Sequence, residues 1–146
     1  MRIPRRTGWR GGQGGDSLPA MSFRPDHLHF RSTDAEAAAR FYVEMFGATE
    51  TGRAVQPKGS LRVMLELGGL AIFVEGVPEG TGAPPAPPFL GLEHLGLRVD
   101  DLEAAAAALK AKGVRFTLEP TEIRPGVRIA FVQAPDGVQV ELLQRG

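Results

Sequence analysis

The chain has 146 residues, of which 42% are hydrophobic and 23% are charged, and this composition is typical of one soluble domain with a sizeable core. Seventeen basic and seventeen acidic residues cancel, which argues against a nucleic-acid-binding protein that works through a basic face. Cysteine is absent, so disulfides, thiolate metal sites and a cysteine nucleophile are excluded. No run approaches the roughly 18 apolar residues of a membrane-spanning helix, and we therefore expect a cytoplasmic protein with no membrane association.

The first 22 residues differ in composition from the rest of the chain. They contain four arginines, one aspartate and five glycines, which gives this segment a charge of +3. Such a segment buries too little apolar surface to offset chain entropy, so we predict a disordered tail over residues 1–22. Met21 is an alternative start of the protein, and the folded domain is predicted to cover residues 23–146.

A second segment, residues 76–91, is also distinct. Nine of its sixteen residues are glycine or proline, which indicates an extended linker because proline fixes φ and removes a backbone donor. The linker divides the folded part into a first module, about 23–75, and a second module, about 92–146.

The two modules resemble each other. When His27 is aligned with His94, an offset of 67, eight of the thirteen positions over residues 27–39 are identical. Matches of histidine, arginine, aspartate and glutamate are more informative than matches of helical alanine. We therefore interpret the chain as a duplication.

Each module is predicted to contain a strand, a helix and three further strands. Thr33 or Asp34 is suited to cap the first helix, and Asp100 or Asp101 the second. Glycines end both helices, and Gly68-Gly69 and Pro135-Asp136-Gly137 are predicted turns. The strands are expected near 26–32, 48–55, 61–67, 70–75, 93–99, 114–119, 127–133 and 138–144, and the helices near 35–46 and 102–112. One helix covering one face of the strands predicts an α+β fold made of two βαβββ modules.

Side chains alternate along a strand, so the polar residues of each first strand share one face. His27, His29 and Arg31 lie opposite the apolar Leu28 and Phe30. The second module repeats this pattern with His94 and Arg98, while Glu141 lies on one face of the last strand. Because the apolar faces must cover the helices, we expect the polar faces to line a shared concavity that binds a ligand.

Two imidazoles and one carboxylate, those of His27, His94 and Glu141, would suit one divalent ion of iron, manganese, nickel, cobalt or zinc. The duplication favours this reading, because it gives the two histidines equivalent positions. The alternative from the residues alone is that each histidine only bonds a neighbouring backbone group.

Three motifs carry a resemblance to a known family. They are His27…Asp34 before a helix that ends in FYVEMFG, His94…Asp101 before AAAALKAKG, and APDGVQVELLQ near the end of the chain. Together they resemble the vicinal oxygen chelate superfamily, which includes glyoxalase I, extradiol dioxygenases and bleomycin resistance proteins, over about residues 24–146. The resemblance implies an open, U-shaped mixed sheet around a metal site, a small-molecule substrate with vicinal oxygens, and a homodimer.

The resemblance places the metal ligands at His27, His94 and Glu141. Glyoxalase members have a fourth ligand, a glutamate in the last strand of the first module, and that position falls on Phe73. Glu75 shares the face of Phe73 two residues further on, and would replace the missing ligand only if the strand shifts or bulges. His29 is a second candidate for a substitute ligand and also a candidate substrate-binding residue.

Glyoxalase-type lyase or isomerase chemistry is the function that the resemblance favours, with Glu141 as the base and the metal stabilising an enolate. One alternative is an extradiol-type Fe(II) dioxygenase with a His/His/Glu triad, for which His29 and Tyr42 are the further histidine and tyrosine available. Another alternative is a metal-free protein that binds small molecules of the drug type. The site is formed either within one chain or between two chains.

Arg31 and Arg98 each follow a candidate metal-binding histidine by four residues. Arginine pairs bidentately with carboxylate or phosphate, so both are predicted to bind an anionic part of the substrate. The alternative is that each pairs with an internal acid such as Glu66 or Glu93.

Overall fold

The computed structural model describes residues 23–146. The predicted tail over residues 1–22, and with it the alternative start at Met21, lies outside the described residues. Within 23–146, neither helix has the length and apolar character needed to cross a membrane.

The described chain forms two modules, each with one strand, one helix and three further strands, which confirms the α+β fold of two βαβββ modules. The first module consists of β1 (His27–Ser32), α1 (Ala35–Phe46), β2 (Thr49–Val55), β3 (Leu61–Leu67) and β4 (Leu70–Gly76). The second module consists of β5 (His94–Arg98), α2 (Leu102–Ala111), β6 (Phe116–Arg124), β7 (Val127–Gln133) and β8 (Gln139–Arg145). A 3-10 turn over Pro135–Gly137 precedes β8.

Both helices begin at an aspartate that caps them through its side chain. Asp34 Oδ1 accepts a hydrogen bond from the Ala37 amide at 2.9 Å, and Asp101 Oδ1 accepts one from the Ala104 amide at 3.0 Å. These bonds satisfy backbone donors that a helix leaves unpaired in its first turn. Helix α1 ends at Gly47, whose φ of 75° is a left-handed conformation that glycine adopts without strain.

Backbone hydrogen bonds join the strands into two four-stranded mixed sheets, ordered β1-β4-β3-β2 and β5-β8-β7-β6. In each sheet the first and last strands of the module are parallel neighbours, and the other pairs are antiparallel. This topology sets the two strands that carry the candidate residues side by side.

Strand β6 differs from its predicted extent, which was 114–119. It covers Phe116–Arg124 and contains Pro120, and its pairing with β7 shifts register between Leu118 and Thr121. β6 is an edge strand, where the missing backbone donor of a proline is tolerated at a bulge. The proline therefore interrupts the pairing without ending the strand.

The core lies between each helix and its sheet. Val63, Ile72 and Val74 in the first module and Val132 and Val140 in the second are fully buried. The modules also contact each other, because Asp136 Oδ1 accepts hydrogen bonds from the Thr33 amide at 3.2 Å and the Thr33 hydroxyl at 3.0 Å. With the apolar faces covered, the opposite faces of both sheets carry the polar residues of the candidate site.

Candidate functional site

The first feature of the site is a pair formed by His94 on β5 and Glu141 on β8. The parallel register sets Gly96 opposite Glu141. Gly96 follows His94 by two residues, so both lie on the same face of β5. His94 Nε2 lies 3.2 Å from Glu141 Oε2, but the two atoms are not aligned for a hydrogen bond. Both atoms are therefore free to bind a common third atom.

The surroundings of His94 leave its second nitrogen without a partner. Nδ1 is buried and makes no hydrogen bond, and the Glu93 Oε2 atom lies 3.8 Å away. The imidazole packs edge-on against Phe131, with ring centroids 5.1 Å apart. A Cβ atom at Gly96 would be in van der Waals contact with Glu141 Oε2, at 3.7 Å, so a longer side chain at this position would crowd the carboxylate. A buried polar atom without a partner requires an explanation, such as an acceptor or an ion close by.

His27, at the start of β1, is the counterpart of His94 in the first module. Its Nδ1 lies 2.6 Å from Asp26 Oδ2 and forms a hydrogen bond with it. Its ring stacks on Phe73, with centroids 4.2 Å apart and an interplanar angle of 19°. The hydrogen bond occupies one ring nitrogen, which leaves Nε2 as the atom available to a metal.

The residues present fit a divalent metal ion. Imidazole nitrogen and carboxylate oxygen bind such ions at about 2.0–2.2 Å, so two of them on one ion are about 3.0–3.4 Å apart. The 3.2 Å between His94 Nε2 and Glu141 Oε2 lies in this range. Within residues 23–146, no three His, Cys, Asp or Glu side chains come close enough to hold an ion together. One chain therefore holds His94 and Glu141 at a distance that suits a shared metal ion, while His27 lies apart from them.

Phe73 occupies the position in the first module that Glu141 occupies in the second. Phe73 pairs in register with His29 on β1, as Glu141 pairs with Gly96 on β5, and His29 and Gly96 are equivalent under the offset of 67. At the position where the sequence analysis predicted no fourth carboxylate ligand, the structure therefore has a phenyl ring, which stacks on His27.

Glu75 does not approach His27, because β1 and β4 stay in regular register from His27 to Ser32 without a bulge. Its carboxylate is buried and binds two arginines. Arg62 Nε donates to Oε2 at 2.8 Å, Arg31 Nη1 lies 2.8 Å from Oε1, and the Ser60 hydroxyl donates to Oε1 at 3.1 Å. Glu75 is thus the centre of an ion-pair cluster.

The pKa values of two residues in this cluster, Glu75 and His29, are shifted from their ordinary values. The hydrogen bond from Arg62, with those from Ser60 and Arg31, lowers the pKa of Glu75 to about 2 and outweighs the opposing effect of burial. The pKa of His29 is lowered first by burial and then by the Arg31 charge, although Glu75 acts in the opposite direction. His29 Nε2 lies 3.1 Å from Glu75 Oε2 but is buried without a hydrogen bond, which is consistent with a neutral imidazole.

Arg31 and Arg98 lie at different cavities. Arg31 borders a cavity of about 790 Å³ together with Arg115 and Gln139, whose Nε2 is a buried donor without a partner. Arg98 borders a cavity of about 510 Å³ between the modules, lined by Phe46 and other apolar residues. Arg31 pairs with an internal acid, as the alternative interpretation predicted, but that acid is Glu75 and not one of the two that were named as candidates. Among residues 23–146, Arg98 makes no salt bridge.

Several residues at the site were not identified from the sequence. Arg62 on β3 and Arg115, which directly precedes β6, carried no sequence signal, because both reach the site only through long-range strand pairing. Asp26 and Glu93 did carry one, since an acid precedes the equivalent histidine in both modules.

Comparison with known proteins gives one family. A family model described as the glyoxalase/bleomycin resistance protein/dioxygenase superfamily matches residues 24–142. A protein named putative lactoylglutathione lyase from Brassica oleracea var. gemmifera is 30% identical over 123 residues, which are 82% of this chain and 44% of that protein. The chain therefore spans less than half the length of this plant relative.

Solved structures share the fold. A glyoxalase family protein from Enterococcus faecalis superimposes with a TM-score of 0.70 at 26% identity, over 81% of this chain and 94% of that one. Glyoxalase I from Zea mays superimposes with a TM-score of 0.65 at 27% identity, over 82% of this chain and 44% of that one.

Proposed function

Because the chain belongs to the glyoxalase/bleomycin resistance protein/dioxygenase superfamily, we propose that it is a metal-dependent enzyme with glyoxalase-type lyase or isomerase chemistry. Its substrate in this proposal is a small molecule with oxygens on adjacent carbons. The observation that carries the proposal is the pair of His94 Nε2 and Glu141 Oε2, which are 3.2 Å apart without a hydrogen bond. The names of the plant and maize relatives, a lactoylglutathione lyase and a glyoxalase I, support the choice of chemistry.

The proposed ligands are His27, His94 and Glu141, and they hold one divalent ion of nickel, zinc, iron, manganese or cobalt. A divalent ion bound there supplies Lewis-acid polarisation of the substrate oxygens, which lowers the energy of an enolate. Nitrogen and carboxylate donors without a thiolate suit this group of metals. Gly96, opposite Glu141 in the sheet, adds no side-chain atoms beside this carboxylate.

Glu141 is the proposed base. Its carboxylate accepts the proton from a hydroxyl-bearing carbon adjacent to a carbonyl and returns it to the former carbonyl carbon, while the hydroxyl proton passes to the other oxygen, so that carbonyl and hydroxyl exchange places. The substrate is thereby isomerised with no gain or loss of atoms. Phe73 stands where the first module would carry a second carboxylate, so in this proposal one base serves both proton transfers.

A second copy of the chain completes the proposed site. Residues 23–146 of one chain bring together two of the three ligands, and His27 contacts Asp26 and Phe73 instead of that pair. A homodimer in which His27 of one copy faces the His94–Glu141 pair of the other supplies the full set.

Arg31 is the proposed contact for an anionic part of the substrate. It borders the cavity of about 790 Å³ that reaches Gln139, the register partner of His94. Arg115 and the unpartnered Gln139 amide add hydrogen-bond donors to the same cavity, which suits a carboxylate or phosphate. Arg98 was predicted for the same role, but its cavity is a different one and lined mainly by apolar residues.

The test is metal content together with activity, measured on tag-free wild type, Glu141→Ala and the control Glu122→Ala, which removes an exposed carboxylate on β6. Metals are measured by mass spectrometry, and activity as thioester formation from methylglyoxal and glutathione. We expect about one divalent ion per site in wild type and the control, and loss of both metal and activity in Glu141→Ala.

Two outcomes would overturn the proposal. Wild type that retains no iron, nickel, manganese, cobalt or zinc after each is added would be a metal-free ligand-binding protein. A metal-loaded protein that consumes oxygen with a catechol and forms no thioester would be a dioxygenase.

A further inference from the structure

Each proposed metal-binding histidine is preceded directly by a carboxylate. Asp26 precedes His27 and Glu93 precedes His94, so the offset of 67 that relates the histidines also relates the acids. Neither acid is part of a strand, because β1 and β5 begin at the histidines themselves. Their side chains are therefore not constrained by the alternation of a strand and can turn toward the neighbouring ring.

In both modules the acid lies on the Nδ1 side of the histidine ring, but only the pair in the first module forms a hydrogen bond. Asp26 Oδ2 is 2.6 Å from His27 Nδ1, and Glu93 Oε2 is 3.8 Å from His94 Nδ1. In each case the acid faces Nδ1, the nitrogen opposite to Nε2. In the second module Nε2 is the atom that lies against Glu141.

A stabilising surface ion pair does not explain well why an acid precedes the histidine in both modules. The Asp26 side chain is 87% exposed, and a pair of that kind contributes little to stability. His94 Nδ1, by contrast, is buried and without a hydrogen bond, so an acceptor would stabilise it. The carboxylate of Glu93 lies 3.8 Å from it. A movement of about 1 Å would bring that oxygen to hydrogen-bond distance.

We propose that Asp26 and Glu93 are positioning residues that accept a hydrogen bond from the Nδ1–H group of His27 and His94 and so hold each Nε2 ready for a metal ion. Metal binding requires the proton of a neutral imidazole to reside on the other nitrogen, and an acid acceptor there selects that tautomer and orients the ring. This inference rests on the proposed metal site and adds to it the residues that pre-organise its two histidines.

The experiment measures dissociation constants for Ni(II) and Zn(II) by competition with a chromophoric chelator. Asp26→Asn and Glu93→Gln keep the size of each side chain and remove the carboxylate. We expect each to weaken metal binding roughly 10- to 100-fold. Asp26→Glu and Glu93→Asp exchange the two acids, keep the carboxylate, and are expected to bind within about threefold of wild type.

Glu122→Gln is the matched control, because it removes the same charge from an exposed position on β6. In the metal-free protein, long-range nitrogen–proton NMR spectra of the imidazoles report the tautomer directly. The population with the proton on Nδ1 is expected to fall at His27 in Asp26→Asn and at His94 in Glu93→Gln.

The possible failures are distinguishable. If wild type binds neither metal, the proposed function fails. If wild type binds metal and the two amide variants match Glu122→Gln in affinity and in tautomer, the positioning role is overturned. An equal loss in the carboxylate-keeping variants would also overturn it, because it would assign the effect to packing.

Discussion

The ring of Phe73 stacks on His27, with 4.2 Å between centroids, at the strand position where the second module places Glu141 beside His94. At this strand position the two equivalent histidines thus have an aromatic neighbour in one module and a carboxylate neighbour in the other. This asymmetry reduces the proposed ligand set from two carboxylates to one.

Phe73→Glu is expected to restore a carboxylate next to His27. The register sets residue 73 opposite His29 as it sets Glu141 opposite Gly96, so the new side chain has the same place on the sheet. A further anionic ligand should tighten divalent metal binding roughly tenfold or more, a gain of about 1.4 kcal/mol. Chelator competition measures it, with Phe73→Leu as the control for loss of the ring. Equal affinities of the two variants would contradict this expectation.

Glu75→Gln is expected to change how stability depends on pH. The pKa of Glu75 is lowered to about 2 in the folded protein from an ordinary value of about 4.5, so between these values the unfolded chain binds more protons. Its stabilisation is therefore complete above pH 4.5 and is lost as the pH falls toward 2. Urea unfolding of wild type and Glu75→Gln should differ at pH 6 and converge near pH 2. Glu79→Gln, an exposed linker residue, should follow wild type throughout.

Arg31→Gln is expected to raise the pKa of His29. Burial is the larger cause of the lowered value and remains in the variant, so the return toward 6.5 is partial. Because folding lowers this pKa, the histidine opposes folding as the pH falls below 6.5, and the variant should show less of that effect. Proton NMR of the His29 ring in the metal-free protein follows the titration. A value unchanged from wild type would exclude Arg31 as a cause.

Arg31→Ala and Arg98→Ala are expected to differ in their effect on substrate binding. Arg31 shares its cavity with Arg115 and Gln139, whereas Arg98 borders the apolar cavity between the modules. Arg31→Ala should raise KM roughly tenfold for a substrate with a free carboxylate and little for its methyl ester. Arg98→Ala should affect both alike. Equal losses for the acid and the ester in Arg31→Ala would exclude an anion-binding role.

Asp136→Ala is expected to loosen the contact between the two modules. Asp136 Oδ1 accepts two hydrogen bonds from Thr33, and the residue holds a left-handed φ of 60°. Loss of the acceptor should lower the free energy of unfolding by about 1–2 kcal/mol in urea. Asp136→Asn keeps an oxygen acceptor and tolerates this conformation, so it should lose less than half as much. A larger loss in Asp136→Asn would point to charge instead of hydrogen bonding.

Local sequence was sufficient for most of the fold. Helix α1 covers the predicted residues 35–46, and β3 and β7 have their predicted bounds, because capping residues, glycine turns and period-two alternation act within a few residues. Strand β6 extends beyond its predicted end at residue 119, because an edge strand accommodates Pro120.

The partners of the site residues required tertiary structure. Which acid pairs with Arg31 depends on the register of β1 against β4, strands about forty residues apart along the chain, and on Arg62 arriving from β3. Glu66 and Glu93 were reasonable candidates by position, but Glu75 has this role because it lies directly opposite Arg31 in the sheet.

The sequence by itself therefore determined the duplication, the two βαβββ modules and the pair of equivalent histidines, and the family resemblance predicted that Phe73 stands where glyoxalase members have a glutamate. The tertiary structure decided that Glu75 is bound by arginines, that Arg31 and Arg98 border separate cavities, and that His94 meets Glu141. The physical reason is range. Elements and motifs follow from interactions between near neighbours in the chain, while the contacts of a side chain depend on strand pairing and module packing between distant segments.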